Sequence, residues 1–305
     1  MKIYQTKAFY FSILILVAII WGLDPIVNRY LYQYYSASAL SALSTLLSAM
    51  FFFLLSVRKL HLLNRSYLRI ALPIGLINSL ACLLQRIGLQ YTTPARYSFL
   101  EHLSCVVVPV LMFLFFKKRP TPLQWIAGAL CICGCLLLTG AGAEGGILGP
   151  GEILCALAGI LFGVCIVATG IYAKELDINL FMMIHMSIYF ITSVGMAVGL
   201  HTVKTDGHPI EPFTFSFNIR HLLIGILFGF LSVGICWLLR TEATRHVSPP
   251  IVASVMPFSA VVSGTVSVLA GFDQISSSFL LASAMIITAA ILSGLSDTQK
   301  KKRPL

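Results

Sequence analysis

Ten apolar runs divide the chain, at about residues 8–28, 36–57, 68–90, 94–116, 121–140, 151–173, 179–200, 220–239, 246–270 and 277–295. Each is close to the roughly 20 apolar residues that cross a bilayer as a helix, and the polar residues between them fall in short groups. The pattern predicts an all-α integral membrane protein with ten transmembrane helices. Lys2 and Lys7 precede the first run as they would in a signal peptide. No small-x-small cleavage site follows and nine further runs do, so the first run is expected to be an uncleaved span.

Composition strengthens this reading. The 305 residues are 58% hydrophobic and 10% charged, with a mean hydropathy of +0.90. Ordinary soluble domains are about 25% charged, so a water-soluble protein is excluded, and connections averaging under ~10 residues leave no room for an extramembrane domain. In a soluble protein a net charge of +10 would suggest nucleic acid. Here the 21 Lys and Arg cluster between apolar runs, which is an orientation signal, and no nucleic-acid partner is expected. With the N-terminus in the cytoplasm, Arg29, Arg86, Arg96, Lys204 and Arg220 fall on or near the outer side. The other sixteen, among them Arg58, Lys59, Lys117, Lys118, Arg119 and the run from Lys300 to Arg303, fall on the inner one. Both termini are therefore expected in the cytoplasm, with the longest loop, about 201–219, outside.

All eight Cys lie within apolar runs and suggest no disulfide framework. Cys131, Cys133 and Cys135 alternate, and on a helix alternate residues point about 200° apart, so they cannot share one metal ion. No cofactor is expected. The pairs Gly159 and Gly163, Gly195 and Gly199, and Gly225 and Gly229, with Ala18 and Gly22, let helix backbones approach and are read as packing.

The sequence partly repeats after about 150 residues. Gly88-Leu89-Gln90-Tyr91-Thr92-Thr93-Pro94-Ala95 leads into an apolar run containing Pro109, and Ala243-Thr244-Arg245-His246-Val247-Ser248-Pro249-Pro250 into one containing Pro257. Ile20-Trp21-Gly22-Leu23 recurs as Leu161-Phe162-Gly163-Val164. Five spans per half is an odd number, so the second copy is expected upside down relative to the first, with a site near the midplane between them. The expected units are 1–145, 146–298 and a basic cytoplasmic tail, 299–305.

Trp21-Gly22, the stretch from Leu84 to Thr93, the Pro109 run and Gln124-Trp125-Ile126-Ala127-Gly128 resemble the EamA family of the drug/metabolite transporter superfamily. The resemblance implies a ten-helix carrier working by alternating access, in a group that exports amino acids, other metabolites or toxic compounds. Two features depart from that pattern. The acidic residue expected before each final span is replaced by Lys117, Lys118 and Arg119 in the first half and is present only as Asp273 in the second. The fourth run also contains Arg96, Glu101 and His102.

An ionisable side chain at membrane depth costs about 2.5 to 3.5 kcal/mol and marks a functional candidate. Asp24, Arg86 and Glu101 fall within about one helical turn of each other in depth. Arg96 and Glu101 are poorly placed to pair within one helix, so Glu101 is expected to meet Arg86, leaving Asp24 or water for Arg96. Two readings stay open: these pairs only lock helices together, or they form an outer gate and polar site with Glu101 or Asp24 as proton carrier. Trp21, Asp24 and Asn28 share a face, and Pro25 frees the Trp21 carbonyl, so a locally broken helix lining a cavity is expected. Asn78 and Gln85 form a second polar stripe, read as cavity lining against interhelical hydrogen bonding alone. By symmetry Arg240, Glu242 and Arg245 are candidates for an inner gate, against surface anchors with a surface ion pair. His185 either titrates near neutrality or simply hydrogen-bonds, and Trp237 and Tyr189 read as packing or interfacial aromatics.

A secondary carrier of a small polar or amphipathic metabolite is weighed against a membrane-embedded enzyme or a structural membrane protein. No His-Glu-x-x-His helix or paired carboxylates occur, and no enzyme activity is expected. The expected partners are a small-molecule substrate and the lipid bilayer, as monomer or homodimer, in a bacterial inner (plasma) membrane.

Overall fold

The structure, a computed structural model, describes residues 2–117, 121–139, 149–202, 204–205, 208–209, 211–271 and 276–300. The helices are α1 (Lys2–Leu31), α2 (Ala37–Ser56), α3 (Arg65–Gln90), α4 (Pro94–Glu101), α5 (Ser104–Phe116), α6 (Pro122–Thr139) and α7 (Pro150–Tyr172). They continue with α8 (Ile178–Thr202), α9 (Ile219–Gly229), α10 (Cys236–His246), α11 (Pro249–Val255), α12 (Phe258–Leu269) and α13 (Ser277–Lys300). A 3-10 segment, Val57–Leu62, extends α2, and a π-helical turn, Phe230–Ile235, joins α9 to α10. Two two-residue strands, β1 (Lys204–Thr205) and β2 (His208–Pro209), pair antiparallel after α8.

Local chemistry explains many of the boundaries. Pro94, Pro122, Pro150 and Pro249 open α4, α6, α7 and α11, where the missing amide hydrogen has no intrahelical partner to lose. Asn64 caps α3 by accepting from the Tyr67 amide at 2.8 Å, and Asn218 caps α9 by accepting from the Arg220 amide at 3.0 Å.

Among the described residues seven helical stretches are long and apolar enough to cross a membrane, from Phe9–Leu31 to Pro249–Leu269, and three further apolar helices are shorter. The fourth and ninth apolar runs are each broken in two. Tight turns in which the Leu103 amide donates to the Leu100 carbonyl and the Cys105 amide to the His102 carbonyl separate α4 from α5. Bonds from the Ser259 amide to the Met256 carbonyl and the Ala260 amide to the Pro257 carbonyl do the same between α11 and α12. The expected break in the first helix is absent, since α1 runs through Pro25 without interruption. The eighth run does not stop near 239: through the π turn it continues to His246, two turns further than its apolar residues indicate.

The main packed pairs are α2 with α8, α6 with α13, α3 with α7, α1 with α12, α3 with α8, α5 with α7 and α1 with α10. Glycines permit the closest approaches. A Cβ on Gly22 would lie 2.5 Å from the Val262 Cβ on α12, and one on Gly159 2.5 Å from the Leu100 carbonyl oxygen beside the first helix break. Gly195 and Gly199 differ from the expectation of packing: among the described residues nothing lies within 4 Å of a Cβ at either. Cys131 is buried and Cys133 exposed, on opposite sides of α6. Large apolar side chains such as Leu54, Phe115, Ile191 and Leu227 are more than 60% exposed, as expected of a surface facing lipid and not water.

One end of the bundle gathers the close of α1, the start of α2, the close of α3 and Glu211. The opposite end gathers Lys59, the start of α3 and the α7–α8 turn at Asp177. The expected unit boundary at 145 and 146, together with Lys118, Arg119, Asp206, Asp273 and the tail beyond Lys300, lies outside the described residues.

Candidate functional site

The inward face of α1 builds one wall of a buried polar site. The Asp24 carboxylate accepts from the Asn28 side-chain amide and from the Ser232 hydroxyl on the π turn. The Trp21 indole donates to the Ser232 carbonyl at 3.0 Å. A π turn shifts the backbone ladder by one residue and leaves a carbonyl for such a donor. Asn28 in turn accepts from an Arg86 Nη at 3.3 Å, and Arg86 Nε donates to the Tyr189 hydroxyl at 3.1 Å. Ser232, Asp24, Asn28, Arg86 and Tyr189 thus form one chain of hydrogen bonds through four helical elements, and Asn28 and Arg86 are buried.

This chain borders a cavity lined also by Gln85, Tyr97, Glu101, Phe162 and Trp237, with about 40 Å³ of room for water, roughly three molecules. Glu101 closes α4 and lines a second, smaller cavity with His102, Trp237 and Arg240. Arg240 is 6% exposed, and its guanidinium carbon stands 4.6 Å from the Trp237 ring centre and 5.7 Å from that of Trp21. A third cavity lies between Asn78, Thr169, His185, Thr241, Thr244 and the same Arg240.

Residues 8–140 match the model of the EamA-like transporter family. Over that segment the chain is similar to the EamA-like family. A solved crystal structure of a protein shares the fold with a TM-score of 0.71 at 15% identity, over 94% of this chain and 98% of the other. No curated protein matches the sequence. Together with the apolar helices, the EamA-like match over residues 8–140 supports an integral, multi-pass membrane protein.

Within the EamA-like segment, Trp21, Asp24, Gln85, Arg86 and Glu101 line one cavity, and Asn28 bonds to two of them. His102 Nε2 lies 2.7 Å from the Ser259 hydroxyl, across from the second helix break. The expected pairings differ. Arg86 bonds to Asn28 and Tyr189 and not to Glu101, which sits across the cavity. Arg96 bonds neither to Asp24 nor to Glu101; it reaches Glu152 at 3.4 Å, a carboxylate that also accepts from the Thr92 hydroxyl at 2.8 Å. The physical reason is the contact of Gly88 with Gly151, which brings the start of α7 against the end of α3.

The expected inner cluster is split. Arg245 pairs with Glu242 at 2.9 Å and also donates to the carbonyls of Lys174 and Leu176, while His246 meets Glu242 at 2.9 Å. Arg240 joins neither. Because the helix continues to His246, Arg240 sits about 9 Å in from its end at 1.5 Å per residue. His185 differs from the expectation of a hydrogen bond, since among the described residues neither ring nitrogen has a partner.

Several contributors were not legible. Tyr189 and Trp237 read as packing, although Trp237 precedes Arg240 by three residues and a helix puts such pairs on one face. Ser232 depends on the π turn, which no residue pattern announces. Glu211 and Asp177 close the two ends of the bundle. Glu211 is buried and accepts from the Ala37 amide at 2.7 Å, the Gln90 side chain at 3.0 Å and the Ser38 hydroxyl. Asp177 pairs with Lys59 at 2.6 Å and caps α8 through the Asn179 and Leu180 amides, both at 3.1 Å. Partial burial would raise the Asp177 pKa, but the bonds from Lys59 and those amides outweigh it and hold the carboxyl below its usual value.

Proposed function

We propose that the chain is a secondary transporter, an exporter or permease, that moves a small polar or amphipathic metabolite such as an amino acid by alternating access. The observation that carries this reading is the buried polar layer. Trp21, Asp24, Asn28, Arg86 and Glu101 come from the EamA-like segment, and Tyr189, Ser232, Trp237 and Arg240 from the rest of the chain. Placing four charged groups at that depth, Arg86 and Arg240 buried and Asp24 and Glu101 half-buried, is costly, and a pair of structural halves needs no such layer merely to pack.

In this reading ten spans form two inverted five-helix repeats, 1–145 and 146–298. The packing supports it. A twofold exchange of the halves turns α3 against α7 into α10 against α1, and α5 against α7 into α12 against α1. It also returns α2 against α8 and α6 against α13 to themselves, and it relates the break before Ser104 to the break before Phe258. Asp24, Arg86, Arg96 and Glu101 belong to the outer side of the pathway and Glu242 and Arg245 to the inner, with both termini in the cytoplasm of a bacterial inner membrane. Glu101, on the helix break and facing the cavities, is the proton carrier.

The test is flux of a metabolite panel in vesicles holding matched amounts of wild type, Trp21→Ala and Glu101→Gln. Loss of flux in the first variant and loss of its pH dependence in the second are expected. Flux and pH dependence unchanged in Glu101→Gln would sink the proton role, and variants that alter only protein abundance would reduce the layer to a structural one.

A further inference from the structure

Two arginines are buried in the site, and they differ in one respect. Arg86 is engaged, by Tyr189 through Nε and by Asn28 through Nη1. Arg240 is not. Among the described residues its guanidinium donates no hydrogen bond, its Nε is buried with no partner, and no carboxylate lies within 4.0 Å. Glu101 lines the same cavity from across it. The guanidinium carbon stands over the rings of Trp21 and Trp237, an attraction that uses none of the N–H groups as hydrogen-bond donors to a lone pair. Around the adjoining cavity further groups lack partners among the described residues: both ring nitrogens of His185 and the side-chain oxygen of Asn78. A buried guanidinium whose N–H groups are idle is costly, and several idle polar groups around one cavity suit a ligand better than a packing role.

We propose that Arg240 is the receptor for the carboxylate of the transported solute, with the His185 N–H as a second donor and the Asn78 oxygen accepting from a neighbouring hydroxyl or ammonium. This rests on the carrier reading and narrows it to compact carboxylic acids bearing a hydrogen-bond donor beside the carboxylate, a 2-hydroxy or 2-amino acid. A planar guanidinium fork matches a carboxylate edge. Among the described residues Arg240 is the one Arg or Lys lining these two cavities, with the Glu101 carboxyl across one of them, so a monoanion suits it, whereas a phosphate dianion would leave a charge uncompensated. The room beside Arg240, about 10 Å³ on the His185 side and about 20 Å³ on the Glu101 side, admits only a small head group. The remainder of the solute extends past Trp21 and Phe162 into the larger cavity, which both residues share.

The experiment uses the full chain in nanodiscs. Quenching of tryptophan fluorescence is titrated with matched pairs, lactate and lactamide, alanine and alaninamide, and with inorganic phosphate. Two of the three tryptophans, Trp21 and Trp237, stack on the proposed receptor. Wild type is expected to prefer an acid to its amide at least tenfold, Arg240→Gln to lose that preference, and Arg240→Lys, which keeps the charge without the fork, to keep only part of it. His185→Leu is expected to weaken the acid alone, and it keeps the test open if Arg240→Gln does not fold. Acid and amide bound alike in wild type, no binding of any acid, a preference for phosphate, or acid preference intact in Arg240→Gln would each overturn the assignment. Flux of the same panel separates the two claims. Flux of neutral solutes insensitive to Arg240→Gln overturns the carboxylate site and leaves the carrier, while acid binding without flux of any solute overturns the carrier and leaves the site.

Discussion

Replacing Glu211 by Ala should loosen the end of the bundle that gathers α1, α2 and α3. Its carboxylate is 6% exposed and accepts from the Ala37 amide at 2.7 Å, the Gln90 side-chain amide at 3.0 Å and the Ser38 hydroxyl. It therefore caps α2 from a distant loop, a role that a local residue such as Ser36 does not fill, since its hydroxyl makes no cap bond. A lost N-cap costs about 1 kcal/mol and hydrogen bonds to a charged group about 1.5 to 3 kcal/mol. These are not additive, and water enters readily at an end of the bundle, so we take about 2 to 3 kcal/mol in total. At 1.4 kcal/mol per tenfold, the opening equilibrium of the first turn of α2 rises about 30- to 140-fold. Amide hydrogen exchange over residues 37–41 in nanodiscs reads this directly, with residues 178–184 at the opposite end as internal control. Glu211→Gln keeps one acceptor oxygen but loses the charge, and should fall between. Protection over 37–41 within about threefold of wild type in Glu211→Ala would refute the argument that this carboxylate holds the end closed.

Gly159→Ala should destabilise by about 1 to 3 kcal/mol, because its Cβ would meet the carbonyl oxygens of Leu100 and Glu101 at 2.5 and 2.7 Å. Gly195→Ala, with nothing within 4 Å, should be neutral or stabilising by up to about 1 kcal/mol; equal melting temperatures for the two variants would contradict the packing. The Asp177 carboxyl has its pKa depressed in the fold, so its contribution is full above the unfolded value near 3.9 and is lost as pH falls through the lower, folded value. Melting temperature followed from pH 6 to pH 3 should fall less in Asp177→Ala than in wild type, and the gap between the two should close at the acid end. Parallel curves would show that the Lys59 pair and the α8 cap contribute nothing.

The all-helical, apolar character was legible because a bilayer imposes length and apolarity together, and because Pro94, Pro122, Pro150 and Pro249 mark helix starts. The polar face of Trp21, Asp24 and Asn28 was legible for the same reason: side chains three and seven residues apart share one face of any helix. The pairings were not. Whether Arg86 meets Glu101 or Tyr189, and Arg96 meets Asp24 or Glu152, depends on how close two helices come, and that is set by glycines facing partners far away in sequence. Arg240 was misplaced because hydropathy alone ended its helix near residue 239, whereas the backbone continues to His246 with polar residues still on its inner face. The breaks were likewise placed by local energetics that the prolines only partly signal. Pro25 and Pro109 lie inside unbroken helices, and the turn between α4 and α5 contains no proline.

Those two breaks bear directly on how the halves of the site can move. Glu101 is the last residue of α4, and the residue after it, His102, holds the Ser259 hydroxyl at 2.7 Å just past the second break. Three residues further, the Cys105 thiol donates to the Ala253 carbonyl of α11 at 2.9 Å. Gly159 of α7 leaves no space between itself and the carbonyls of Leu100 and Glu101. A rearrangement at one break therefore cannot proceed alone: it must carry the other break and α7 with it, or lose both bonds in a buried setting where polar groups are costly to leave unpaired. Glu101 and Arg240 face each other across the cavity at this junction, so a change of charge or of partner at either acts on the one place where the two broken helices are tied together.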